Sequence, residues 1–196
     1  MTDGNRKLGS HSFEGVFESV YSTSLPGVLL LKPRRHADQR GHFVKTFHAS
    51  AFRELGLETD FREQYYSVSH RGVLRGMHFQ SPPMDHAKLV YCADGSIFDA
   101  VVDLRSDERF GRHEEFQLSS ENAHILYLPA GVAHGFCVIS ETAVTVYNVT
   151  KEYSPDNDSG VRWDSCGIAW PVENPCISER DRRLPAISEI GKLFRI

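Results

Sequence analysis

The chain has 196 residues, 40% of them hydrophobic and 24% charged, with a formal net charge of −4 when histidine is neutral. That profile fits a soluble globular protein large enough for one domain with a real core. A mildly acidic chain with no basic cluster argues against nucleic-acid binding through bulk charge. No apolar run approaches the ~20 residues that span a bilayer. The opening MTDGNRKLGSHS is polar and lacks the apolar stretch of a secretory signal. Cys92, Cys137, Cys166 and Cys176 form no C-x-x-C pair and read as reduced thiols of a cytoplasmic protein.

In chain order, residues 1–12 are expected to be a flexible lead-in. From GVLLLKPRRHADQRGHFVKTF onward, short β-type runs are punctuated by Gly, Pro and Asp. SAFRELGLE reads as a short helix, with Ser50 as its N-cap and Gly56 as its terminator. Strands follow at GVLRGMHFQ, AKLVYCA, SIFDAVVDLR, EEFQLS, HILYLP, HGFCVIS and AVTVYNVT. Their spacing is that of sandwiches and barrels, and SPPMD, ADG, LPAG and SPDNDSG supply the turns. The tail from RWDSCGIAWP has weaker strand character and is expected to end in short helical turns. The expectation is a single all-β domain over 1–196, a jelly-roll barrel with a few short peripheral helices.

The stretch RGVLRGMHFQ places two arginines and a histidine on an apolar strand. Simple alternation puts Leu74, Gly76, His78 and Gln80 on one face and Val73, Arg75, Met77 and Phe79 on the other. Buried charge requires a partner, so the pattern raises the question of what meets it. Further along, PAGVAH fits the P-x-G-x-x-H turn of cupin barrels. A metal-binding cupin would also carry H-x-H and a following Glu, because such ions want three or four converging N/O ligands. Here the pair is His78 and Gln80, with His86 on a loop, so the pocket reads as metal-free and without a cofactor.

Several segments in fixed order make the resemblance specific: DQRGHF, SVSHRGVLRGMHFQ, AKLVYCADGSIFDAVVDLR, LSSENAHILYLPAGVAHGFCVIS, VYNVTKEYSPDNDSGVRWD and IAWP. From about Gly27 to Pro185 the chain resembles the dTDP-4-dehydrorhamnose 3,5-epimerase family, which acts on nucleotide-linked 4-keto-6-deoxy sugars. Removing a proton beside a ketone creates an enolate. Epimerisation therefore needs a base on one face of the sugar, an acid on the other, and stabilisation of the oxyanion. The resemblance implies His78 as base, Tyr147 as opposite-face acid and Asp164 as the carboxylate that orients the base. It also implies Lys88 beside the C4 oxygen, His134 as a polar contact and Tyr153 near the sugar. Arg75 and Arg40 would contact the diphosphate, for which a guanidinium fork is suited. Taken singly, Lys88, Arg40 and Tyr153 suit a solvated or structural role equally well. Asp103 with Arg105 reads as a structural pair, the run Asp181, Arg182 and Arg183 as solvated charge, and Phe98, Phe116 and Phe136 as core.

The chain also departs from the family pattern. Where Gln and Asn usually contact the nucleotide, REQYYSVS places Glu63 and Tyr65. Lys45 replaces an acidic residue, and the linker from Trp163 to Trp170 is short. The implied partner is a nucleotide-diphosphate sugar, with dTDP first and GDP or CDP open, and the sugar a hexose, heptose or dideoxy sugar. The reaction classes open are C3 and/or C5 epimerisation, ketoisomerisation, non-catalytic sugar binding and, remotely, metal-dependent oxygenation. The resemblance further implies a homodimer whose N-terminal strands cross to the partner's sheet, covering otherwise exposed edges.

Overall fold

A computed structural model describes residues 6–8, 15–105, 108–191 and 194. Its strands in chain order are β1 Arg6–Leu8, β2 Phe17–Ser22, β3 Leu29–Pro33, β4 Arg35–Asp38, β5 Gly41–Val44, β6 Glu63–His70 and β7 Leu74–Gln80. There follow β8 Lys88–Asp94, β9 Ser96–Asp103, β10 His113–Ser119, β11 Ile125–Leu128, β12 Val132–Val138, β13 Thr142–Val149 and β14 Asp158–Gly160. Two short helices, α1 Ala49–Glu54 and α2 Glu179–Arg182, complete the frame, with a 3₁₀ turn at Trp163–Ser165.

The strands form a seven-stranded sheet in the order β1-β2-β3-β11-β8-β13-β6 and a five-stranded sheet in the order β10-β9-β12-β7-β14. The fold is the expected all-β jelly roll. Between the sheets lies a core of Val90, Cys92, Leu126 and Leu128 from one side and Ile97, Val101, Leu118 and Phe136 from the other. Both outer faces are also covered. Phe52 of α1 packs with Phe17, Leu31, Leu89 and Tyr127 over the larger sheet. Met77, Phe79, Ala100 and Val102 of the smaller sheet pack against Val161, Cys166 and Phe194 from the C-terminal segment. That covering explains why several strands read as continuous apolar runs rather than alternating ones.

Most strands fall where the sequence pattern puts them, and three local expectations are corrected. The N-cap position of α1 falls on His48, two residues earlier than expected, and Ser50 lies inside the helix. Gly56, at φ +70°, does follow the helix end, in a conformation that favours glycine. Within the expected lead-in, residues 6–8 form β1 against β2, while residues 1–5 and 9–12 lie outside the described residues. A whole strand, β6, sits where no strand was expected and forms the edge beside β13. The β4–β5 hairpin stands apart as its own two-stranded sheet, with Phe43 60% exposed. Asp103 and Arg105 form the expected structural pair, at 2.6 and 2.9 Å.

Candidate active site

A cavity of about 390 Å3 opens between the two sheets. Its first wall is β7, whose geometry departs from simple alternation. The pairing of β7 with β12 shifts by one residue between His134 opposite His78 and Phe136 opposite Arg75. A bulge of this kind re-aims side chains. It brings Arg75 to the same cavity as His78 and Gln80, where strict alternation had put it on the other face. Gly76 sits at this irregularity with φ +141°, and a Cβ there would lie 2.5 Å from Gly135 Cα, so no larger residue fits. The two arginines of RGVLRGMHFQ therefore separate: Arg75 lines the cavity, whereas Arg71 lies in the turn before the strand.

His78 meets a carboxylate, but not the expected one. Its Nε2 lies 2.8 Å from Asp181 Oδ1, and Asp181 is 2% exposed. Asp164 instead pairs with Arg162 at 2.6 Å on the surface 3₁₀ turn, away from the cavity lining. Asp164 sits in the 3₁₀ turn Trp163–Ser165, whereas α2 brings Asp181 to His78. Asp181 is thus not part of a solvated charge run. It is fixed by the Gly76 N–H, which donates to its Oδ2 at 3.3 Å, and its own N–H donates to Ser178 Oγ as the helix N-cap bond. The sequence signal was this cap, Ser178-x-x-Asp181, which turns one acid of the run inward. Burial acts to raise the Asp181 pKa, but the His78 hydrogen bond and charge outweigh it and hold the carboxyl below its usual value. An ionised carboxylate only accepts, so the bonded imidazole nitrogen carries the proton and the other keeps the lone pair. Burial pulls the His78 pKa down against the opposing pull of Asp181, so the ring is neutral at neutral pH. It is an oriented, unprotonated imidazole that lines the cavity, with 29% of its side chain exposed.

The opposing wall belongs to the larger sheet. Tyr147 on β13 is buried, and that burial drives its phenol well above the usual range, so it remains a proton donor. Tyr65 stacks on its ring, with centroids 4.8 Å apart. His134 approaches Tyr147 edge-on and bonds through Nε2 to Asp99 Oδ2 at 2.7 Å. Lys88 is buried between these walls and donates from Nζ to the His78 carbonyl at 3.1 Å. Burial lowers its pKa to about 8, with Asp158 opposing and Arg180 assisting that shift. It forms no ion pair among the described residues.

The remaining candidates divide. Arg75 donates from Nε to Ser69 Oγ at 3.0 Å and makes no ion pair among the described residues, which leaves its terminal nitrogens available to an anion. Arg180 also lines the cavity; it bonds Asp158, as does the Tyr153 hydroxyl at 3.3 Å. Sequence reasoning missed Arg180 and Asp158. Glu63, expected as a nucleotide contact, accepts the Tyr153 N–H at 2.7 Å and so shapes the loop after β13. Arg40 lies outside the cavity lining, 85% exposed on the β4–β5 hairpin and paired with Asp38 at 2.5 Å. Gln80 accepts from Ser154 N at 2.6 Å and donates to the carbonyls of Met84 and Glu152. Its amide is committed to tying two loops together. His86 lines the cavity too, and its Nε2 is buried without a hydrogen-bond partner among the described residues.

Known proteins match this chain in sequence and fold. The model of the dTDP-4-dehydrorhamnose 3,5-epimerase family covers residues 22–189. The chain belongs to that family. A curated dTDP-4-dehydrorhamnose 3,5-epimerase from Shigella flexneri is 41% identical over 167 residues, spanning 83% of this chain and 92% of the relative. A solved epimerase of Legionella pneumophila, in complex with dTDP-4-keto-L-rhamnose, superposes with TM-score 0.86 at 32% identity, covering 90% of this chain and 97% of that one. The 3'-monoepimerase ChmJ of Streptomyces bikiniensis, in complex with dTDP-quinovose, gives TM-score 0.80 at 33% identity, covering 84% and 86%. Family resemblance thus extends to proteins described as acting at two centres and at one.

Proposed function

We propose that this chain epimerises a dTDP-linked 4-keto-6-deoxy sugar at C3, C5 or both, through an enolate. One observation carries the reading: His78, oriented by Asp181, and the protonated Tyr147 line a single cavity from opposing sheets. A base and an acid on opposite faces are what inversion at carbon requires. In the proposed cycle the His78 lone pair takes the proton beside the ketone. The Lys88 ammonium stabilises charge developing on the C4 oxygen, with His134 as a further polar contact. Tyr147 then delivers a proton from the other wall. Arg75 is proposed to hold the diphosphate and Tyr153 to sit beside the sugar. A ketoisomerase would use similar groups but move the carbonyl. A passive sugar binder would have no use for a neutral base facing a protonated acid.

The test is solvent exchange. Incubated in D2O with dTDP-, GDP- and CDP-linked 4-keto sugars, the protein is expected to place deuterium at C3, C5 or both of the dTDP sugar while the ketone stays at C4. A carbonyl displaced from C4 supports the ketoisomerase instead, and the absence of exchange from all three supports the binder.

We further propose that the chain acts as a single catalytic unit paired in a homodimer. The exposed hairpin with Phe43, and the exposed Tyr66 and Val68 on the edge strand β6, offer apolar surface for a second copy. Arg40 would then serve across that interface rather than in the cavity of its own chain. A fully active monomer in light scattering at micromolar concentration would contradict this.

A further inference from the structure

Strand β6 is the edge of the seven-stranded sheet, so its side chains have one strand neighbour, β13. In that pairing Tyr65 lies directly opposite Tyr147. Their rings stack with centroids 4.8 Å apart and 18° between planes, an offset-parallel contact that favours one ring orientation. Tyr147 also meets the His134 ring in an edge contact, with centroids 6.0 Å apart. Two rings therefore contact the phenol. Tyr147 is buried, whereas Tyr65, stacked on it and lining the same cavity, is 42% exposed. Burial first, then Glu63 and Asp158, push the Tyr65 hydroxyl up to about 12, so it does not act as a second base.

We propose that Tyr65 is a positioning residue for Tyr147: its ring fixes the plane of the phenol, so that the O–H is held in line to reprotonate the enolate on that face. This rests on reading Tyr147 as the acid. The chemistry assigned to Tyr65 belongs to its ring, because the stacking involves no polar atom. Substitution at the edge strand leaves the cores between and outside the sheets intact, so variants there are expected to fold.

The experiment compares Tyr65→Phe and Tyr65→Ala with the wild type in two readouts. The first is the ratio of sugar inverted to solvent deuterium incorporated. Tyr65→Phe keeps the ring and should hold the wild-type ratio. Tyr65→Ala should lower it by roughly 10- to 10²-fold, with the accompanying loss of inversion rate in kcat rather than KM, because the donor is no longer held in line. The second needs no substrate: in protein carrying 13C-labelled tyrosine, flipping of the Tyr147 ring should accelerate in Tyr65→Ala and not in Tyr65→Phe. A wild-type ratio and unchanged ring flipping in Tyr65→Ala overturn the proposal. Equal loss in Tyr65→Phe also overturns it, because the hydroxyl would then be the working group. If wild-type protein exchanges nothing, the acid assignment of Tyr147 fails, and the ring-flip comparison still decides whether Tyr65 holds Tyr147.

Discussion

Two histidine–carboxylate pairs stand side by side in this cavity, on residues directly opposite each other in the β7–β12 pairing. Their bond lengths are nearly equal, 2.8 Å for His78–Asp181 and 2.7 Å for His134–Asp99. Their surroundings are not. Asp181 also receives the Gly76 N–H, and its carboxyl is held below the usual range. Asp99 is completely buried on β9, its second oxygen has no partner among the described residues, and burial raises its pKa despite His134. His78 keeps an open side toward the cavity, whereas His134 is almost fully enclosed. The same pair of side chains thus leaves one imidazole open to the cavity and encloses the other as a fixed polar wall. Hydrogen bonding and exposure, rather than the motif, decide the role.

The comparison can be broken most forcefully at the carboxylates. Asp181→Asn should lower kcat/KM by roughly 10²–10⁴-fold, because an amide no longer enforces the tautomer that leaves the base its lone pair. Asp99→Asn should lower it far less. Steady-state kinetics on the two variants checks this, and equal losses would mean that His134 shares the proton chemistry.

A smaller effect separates the base from its neighbouring cation. The His78 pKa lies below 6.5, so activity should stay flat as pH falls to that value and decline only beneath it, as the base becomes protonated. At the alkaline end Lys88 loses its charge near its pKa of about 8, and kcat/KM should fall there. Lys88→Arg should remove the alkaline limb near that pH, since a guanidinium stays charged. A limb that persists in Lys88→Arg would assign it to another group.

The smallest expected effects are on stability, and they have opposite signs. The folded pKa of Asp181 lies below 3.8, so its contribution is complete above that value and is lost as pH falls through the folded pKa. The folded pKa of Asp99 lies above 3.8, so its contribution is present below that value and is lost as pH rises through the folded pKa. Relative to wild type, Asp99→Asn should therefore gain Tm from acid to neutral pH and Asp181→Asn should lose it, each kcal/mol moving Tm by roughly 2–4 °C. Thermal melts across that range provide the check.

Much of this site was legible in the sequence. His78, His134, Lys88 and Tyr147 sit on strands marked by apolar runs and glycine turns, and all four line the cavity. The orienting carboxylate was not legible. ERDRR has the composition of a solvated charge run, and only the fold of the C-terminal segment over β7 turns Asp181 beneath Gly76. Arg75 was seen, but alternation put it on the wrong face, because a one-residue slip opposite Gly135 carries no apolar signal of its own. Strand β6 escaped for a related reason. Glu63, Tyr65 and Ser67 face a polar cavity while Tyr66 and Val68 are exposed, so neither face shows the apolar alternation of a half-buried strand.

The central claim is that base and acid act from opposite walls, and the ratio of exchange to inversion in D2O tests it most directly. His78→Asn should stop deuterium incorporation at C3 and C5, with a loss of roughly 10²–10⁴-fold or more, since no enolate forms. Tyr147→Phe should still exchange, because His78 can still remove the proton, while inversion falls. Both swaps nearly preserve volume, so both proteins should fold, which circular dichroism can verify. Exchange surviving in Tyr147→Phe with inversion lost is the result the two-wall account predicts. Equal loss of both in Tyr147→Phe, or retained exchange in a well-folded His78→Asn, would contradict it.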